Sequence, residues 1–254
     1  LTPDHECIIL VSNGKKYMQK VPFNDLAGHG QSQYAWVNPG YSNYDKSKFI
    51  DDDLTRLIAC FVADGSYSKT KAQIRFGFTK ERKIKRFREL IERIGIDYYE
   101  KVQGKLEITY FVISDFKYVS LIKRYCDVNK DLLKPSLIEL NPLVYLEEAS
   151  HWDGHVNHTN LIIVSSTSLK TLEYMQIMAI QSGIRARLLK HNDEIGNTSN
   201  SWVLSYNMGK SPLSRFESRH IDLRTHHRAN HNVYCVTVPE HNIVIRHNGK
   251  VSIQ

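Results

Sequence analysis

Twice in this chain an apolar stretch at helical spacing ends on the pair Asp-Gly, and the pattern downstream of each copy repeats as well. In the first copy, DDDLTRLIACFVADGS from Asp51 to Ser66, residues Leu54, Leu57, Ile58, Phe61 and Val62 fall at i, i+3, i+4, i+7 and i+8. That stripe predicts an amphipathic helix. Asp51, Asp52 and Asp53 supply cap and dipole-compatible acids at its start, and Gly65 is its stop. Asp64 then stands at the buried end of an apolar helix, where a carboxylate costs desolvation energy unless its charge is used. A solvated acid before a turn would account for Asp64 alone. The second copy, PLVYLEEASHWDG from Pro142 to Gly154, argues against that reading by ending on Asp153 and Gly154.

The downstream spacing agrees. After Gly65 come a predicted strand (73–78), Thr79 and a helix running to Ile94-Gly95-Ile96. After Gly154 come a predicted strand (161–165), Thr167 and a helix running to Ser182-Gly183-Ile184. Asp64 to Gly95 is 31 residues and Asp153 to Gly183 is 30, so one loop deletion brings the halves into register. Further strand regions lie at 105–114 and 201–207. A unit of this size is too long for a solenoid repeat. It predicts a duplicated domain whose related elements meet about a pseudo-two-fold axis.

The motif residues resemble those of a known family. IACFVADG is similar to a LAGLIDADG motif, and LEEASHWDG resembles its partner in single-chain, two-repeat LAGLIDADG homing endonucleases. The resemblance, over residues 51–216, implies an α+β fold: two pseudo-symmetric αββαββα repeats forming a DNA-binding saddle. It implies that the motif helices pack together, with Ala59 at the close crossing and Ala149 on the other side. It makes Asp64 and Asp153 the catalytic, metal-holding acids over the scissile phosphates. Lys80, whose equivalent is Ser168, and Lys134 are further candidates for the catalytic centre. Glu147, Glu148 and His151 make the second motif more polar than the pattern. The implied cofactor is Mg2+, with Mn2+ or Ca2+ substituting for binding. The implied partner is double-stranded DNA, bound by a monomer that carries its two-fold internally.

The charge is in keeping with such a partner: the formal net charge is +7. Arg75, Lys80, Arg82, Lys83, Lys85, Arg86 and Arg88 cluster just past the first strand, and Arg185, Arg187 and Lys190 enter the second sheet. The alternation of 72–78 puts Gln73 and Arg75 on its polar face. With Lys69 and Lys71 in the preceding turn, and Lys80 and Arg82 beyond, they form the expected DNA-binding set of the first half. Arg185, Arg187 and Lys190 form that of the second. A twisted antiparallel ribbon fits the major groove, where base edges can be read, while Lys and Arg neutralise phosphates.

No apolar run approaches the roughly 18 residues of a membrane span, and no basic-then-apolar N-terminal region marks secretion. The expectation is a cytoplasmic protein without a membrane partner. Cys7, Cys60, Cys126 and Cys235 form no CxxC pair and suit a reducing compartment. Thr2-Pro3-Asp4-His5 resembles the TxxH block of inteins, and 233–254 resembles a penultimate intein block with Cys235 at a position often held by Asp or Cys. This implies short β remnants of an intein (Hint) domain, at 1–48 (a β segment and a linker) and 219–254, around repeats at 49–135 and 136–218, with splicing-domain or host-protein fragments as further partners. Between these landmarks, 28–48, rich in Gly, Ser, Asn and Tyr, reads as a linker, Gln103-Gly104 as a hairpin turn, 193–201 as a flexible hairpin tip and 211–231 as a basic, irregular stretch. Without a junction nucleophile or a terminal His-Asn pair, this sequence is not expected to splice. The rival functions are a non-cleaving nucleic-acid binder (an RNA-splicing maturase or a decayed endonuclease) and a part of a protein-splicing intein. His220, His226, His227, His231 and His241 match no zinc framework.

Overall fold

The computed structural model describes residues 45–105, 107–190 and 201–208 in full, and the backbone of six further strands. In chain order, β1 (Glu6–Asn13) and β2 (Lys15–Pro22) form an antiparallel hairpin with Asn13 opposite Lys15, as the Asn13-Gly14 signal predicts. β3 (Tyr34–Val37) pairs with β1, although the stretch reads as a linker. Then come α1 (Asp52–Asp64), β4 (Gly65–Tyr67), β5 (Ile74–Phe78), α2 (Glu81–Ile94), β6 (Tyr99–Gln103), β7 (Ile108–Ile113) and α3 (Phe116–Tyr125). A one-turn helix, α4 (Ser136–Glu139), leads into α5 (Pro142–Trp152), β8 (Gly154–Val156), β9 (Ile162–Ser166), α6 (Leu169–Gln181), β10 (Ala186–Lys190) and β11 (Trp202–Tyr206). The last strands are β12 (Leu213–Phe216), β13 (Val244–His247) and β14 (Lys250–Ile253).

Local chemistry sets these limits. Asp51 caps α1 by accepting from the backbone N–H groups of Asp53 and Leu54. The helices α2 and α6 stop alike: Gly95 and Gly183 take φ of 74° and 75°. The isoleucine after each donates its N–H five residues back, Ile96 to Ile91 and Ile184 to Ala179, closing the last carbonyls. The starts differ. Ser168 caps α6 through Thr171 N–H, whereas Lys80, its counterpart before α2, makes no side-chain cap.

The two halves build sheets of the same strand order. β4-β5-β7-β6 is one, and β8-β9-β11-β10 the other, all antiparallel. The glycine after each motif acid enters its edge strand at the same place, with Gly65 opposite Phe76 and Gly154 opposite Val164. Alternation then decides which face is dry. Ile74, Phe76 and Phe78 are buried, with Phe76 and Phe78 against Phe87 of α2 and Phe78 also against Phe111 of β7, while Arg75 stays exposed. The halves share this core, because Trp152 at the end of α5 stacks on Phe78 at 5.5 Å and meets the edge of Phe87.

Two expectations at the chain's ends need correcting. Residues 28–48 are not only a linker, since they contain β3. The stretch 211–231, expected to be irregular, contains β12, which pairs with β3 in the order β12-β3-β1-β2. Chain from beyond the second half thus completes the N-terminal sheet, because β3 offers an edge that local sequence cannot reveal. The intein-like residues Thr2, His5 and Cys235, all of the 193–201 tip but Ser201, and the C-terminal histidines lie outside the described residues. No helix among the described residues is long and apolar enough to cross a membrane.

Candidate functional site

The site grows from the packing of α1 against α5. Ala59 and Ala149 are both buried and line the same groove between these helices, with Val62, Ala63 and Tyr145 around them. Small side chains let two helices approach closely, and close approach brings their C-terminal ends together.

Both glycines are there for space. Gly65 has an ordinary φ of −82°, so it is not the left-handed stop that the sequence suggests. A Cβ on it would lie 2.3 Å from Phe61 Cδ2 and 2.6 Å from the Phe61 carbonyl oxygen. On Gly154 it would lie 2.5 Å from Ser150 Cα. Only glycine lets the chain fold straight back along its own helix into an edge strand, and that fold-back fixes where the preceding acid stands.

Asp64 and Asp153 meet there over one ammonium. Lys83, in the first turn of α2, places Nζ 2.6 Å from Asp64 Oδ2 and 3.6 Å from Asp153 Oδ1. The side chain of Lys83 is 11% exposed, that of Asp64 20% and that of Asp153 45%, so the cation is the deepest member. Burial, then the neighbouring Asp64 carboxylate, raises the pKa of Asp153, against the lowering effects of Lys83 and Lys130. Lys130 stands beside the pair and donates from Nζ to the carbonyl of Ala63 at 3.0 Å, covering an otherwise open acceptor at the end of α1.

A second charged cluster pins the helices a turn away. Glu148 is buried at the position where the first motif has Ala59, and it takes both guanidinium nitrogens of Arg86 at 2.8 and 2.5 Å. Arg56 of α1 approaches it at 3.8 Å and pairs in turn with Asp53, which Arg93 also holds. The acid that makes the second motif look irregular is thus matched by arginines from the other half. Beside it, His151 has its pKa lowered by burial and by Arg86, and its carbonyl accepts from Arg82 Nη1.

Several basic residues expected at the DNA are engaged elsewhere. Lys83 and Arg86 face the helix interface, Arg88 pairs with Glu100 at 2.7 Å, and Arg82 is tied to His151. Four cations of the α2 cluster are thus held by partners within the protein, while Lys80 and Lys85 form no ion pair among the described residues. Lys80 and Lys134 are exposed and make no side-chain bond to either acid among the described residues. The lysine between the acids is Lys83, one turn beyond Lys80; its spacing from Asp64 gave no signal because the contact is tertiary. Lys130 was missed for the same reason.

The outer faces of the sheets hold the rest. Arg75 lies opposite Ser66 and Val112, with Gln73 two residues before it and Tyr110, Lys101 and Tyr99 on the neighbouring strands. In the other sheet Arg187 lies opposite Ser205 and is exposed, with exposed Arg185 two residues before it. Lys190 is exposed at the strand end, on the opposite parity to Arg187, and Lys69 and Lys71 are exposed in the turn before β5. None of Arg75, Arg185 and Arg187 forms an ion pair among the described residues.

Two carboxylates already gathered about a cation are a hard-oxygen donor set. No third His, Cys, Asp or Glu among the described residues completes a cage. Such a set suits an ion that keeps positions for phosphate oxygens and water, as Mg2+ does.

Residues 51–125 match the LAGLIDADG-like domain family. The ribonucleoside-diphosphate reductase subunit beta of Aquifex aeolicus (strain VF5) is 22% identical over 228 residues, covering 79% of this chain and 30% of that protein. Among solved structures, the homing endonuclease I-DmoI in complex with DNA and Mn has a TM-score of 0.44 and 12% identity, covering 61% of this chain and 89% of that one. Full-length DUF199/WhiA from Thermatoga maritima has a TM-score of 0.43 and 11% identity, covering 66% of this chain and 54% of that one.

Proposed function

We propose that the chain is a metal-dependent endonuclease that cuts both strands of a long double-stranded DNA site, with Asp64 and Asp153 as its catalytic carboxylates. The observation that carries this reading is their convergence on one cation from the ends of paired helices. Cutting two strands needs chemistry at two phosphates, and one acid from each half of a two-repeat monomer answers that need. Arg75 and Gln73 on one sheet, and Arg185 and Arg187 on the other, would hold backbone and bases on either side of the acids. Lys83 and Lys130 keep positive potential where the phosphates arrive.

Asp64 and Asp153 would hold Mg2+, or Mn2+ or Ca2+ in its place. When bound, such an ion activates water and stabilises charge on the leaving oxygen. The chain's own part is to fix the two acids through the glycine fold-back and the alanine crossing, so that their spacing does not change during the reaction.

A non-cleaving nucleic-acid binder is the second reading, favoured by the ion pair that already neutralises Asp64. Selection of cleaved sites from a plasmid pool in Mg2+ separates the two. The first reading expects linearised plasmids, and Asp64→Asn should abolish cutting while gel-shift binding of the selected site persists. Binding without any nick, under every divalent ion tried, leaves only the second.

A further inference from the structure

Asp64 and Asp153 are like charges brought together by the packing of α1 on α5, and like charges in a partly buried place repel strongly. The chain answers with a cation of its own. Lys83 sits deeper than either acid and reaches both, at 2.6 and 3.6 Å. The arrangement is one-sided. Counting from the start of each second helix, the counterpart of Lys83 is Thr171, whose hydroxyl accepts from the backbone N–H of Leu132. A single ammonium therefore serves both acids. Lys130 adds its charge only from farther off: its Nζ is bonded to the Ala63 carbonyl, and it forms no ion pair with either acid among the described residues.

We propose that the Lys83 ammonium is a built-in counter-cation which a divalent ion must displace, so that Lys83 sets the metal affinity of the Asp64–Asp153 pair. The inference rests on reading these two acids as metal ligands. In the absence of metal the ammonium between the two carboxylates balances one of their two negative charges and eases their repulsion. It also competes for the same oxygens. Lysine suits a removable cation, since its head is a point charge on a flexible stem that can swing toward water. An arginine holding both acids in a planar fork would be harder to dislodge. Lys83 stands in the first turn of α2, next to exposed Lys80 and Glu81, so a retreat toward solvent is short.

The test uses the full chain without DNA and follows free Mn2+ by electron paramagnetic resonance. Lys83→Met and Lys83→Gln should each bind Mn2+ roughly tenfold or more tightly than wild type. Adding Asp153→Asn should remove that gain. Circular dichroism melts report whether each variant is folded, and Lys83→Gln serves if Lys83→Met is not. Equal Mn2+ affinity in wild type and both Lys83 variants, with loss in Asp153→Asn, overturns the proposal and leaves the metal-ligand reading standing. No Mn2+ binding by any variant overturns both. In wild type, acetylation of Lys83 by acetic anhydride, read by mass spectrometry, should rise several-fold at saturating Mn2+. Labelling that stays the same while Mn2+ is bound overturns the displacement.

Discussion

Arg86 holds Glu148 with two nitrogens of one guanidinium, Nε at 2.8 Å and Nη2 at 2.5 Å, and so ties α2 of the first half to α5 of the second. The two partners are unequal, because the Glu148 side chain is 2% exposed and that of Arg86 is 37% exposed. Arg86→Ala leaves a buried carboxylate with only Arg56 at 3.8 Å. That should cost about 3 to 5 kcal/mol. Glu148→Ala instead leaves a cation that water can reach, and should cost about 1 to 2 kcal/mol. Urea denaturation of the two variants measures the difference. Equal losses would mean that the carboxylate is not the buried partner that matters.

The two motif glycines should tolerate no side chain. Gly65→Ala would push Cβ against the Phe61 ring and against Phe61 backbone atoms at 2.6 and 2.8 Å. Gly154→Ala meets only backbone, at Ser150 Cα, carbonyl oxygen and carbonyl carbon between 2.5 and 3.0 Å, so nothing flexible can yield. Overpacking of this kind costs about 1 to 3 kcal/mol or more, with Gly154→Ala the worse of the two. Thermal melts give the ranking, and a Gly154→Ala protein as stable as wild type would refute the close approach.

Asp153 makes a prediction whose sign is set by the direction of its shift. Its folded-state pKa is raised above the ordinary 3.8 by burial and by Asp64. Between that ordinary value and the raised one the folded state binds more protons than the unfolded, so stability falls as pH rises through the window. The ionised acid is then a net burden at neutral pH. Asp153→Asn should be more stable than wild type at pH 7, and the gain should vanish below the ordinary carboxylate range. Denaturation midpoints from pH 3 to pH 7 check this. A loss of stability at neutral pH in Asp153→Asn would show that the Lys83 contact outweighs burial and repulsion.

Much of the fold was legible because periodicity and punctuation are local. The stripe from Leu54 to Val62, the span of α2 from Glu81 to Ile94 and the turn after Gln103 all come from spacing, a cap or a glycine. The Asp-Gly pairs marked the residues that come together, since a repeat implies equivalent places. The lysine between them was not legible. Lys83 reads as one more cation on a basic helix, and only the angle at which α2 lies over the helix ends turns it inward. Glu148 likewise looked like a flaw in the second motif, because its arginine partners come from the other half. The strand β3 was lost for a similar reason, as its partner β12 lies far along the chain.

The same sorting of cations, into those already spent and those still free, tells which of them should feel DNA. Arg75 and Arg187 stand on outer sheet faces without an ion pair among the described residues, whereas Arg88 is committed to Glu100 at 2.7 Å. A phosphate contact releases condensed counterions, so each one adds about 0.9 to the slope of log affinity against log salt. With random-sequence duplex as the probe, Arg75→Ala and Arg187→Ala should each flatten that slope by about 1, and Arg88→Ala should leave it unchanged. Nitrocellulose binding over a series of NaCl concentrations supplies the slopes. Should Arg88→Ala flatten the line while Arg75→Ala does not, DNA would lie along α2, and the outer faces of the sheets would have to be given another purpose.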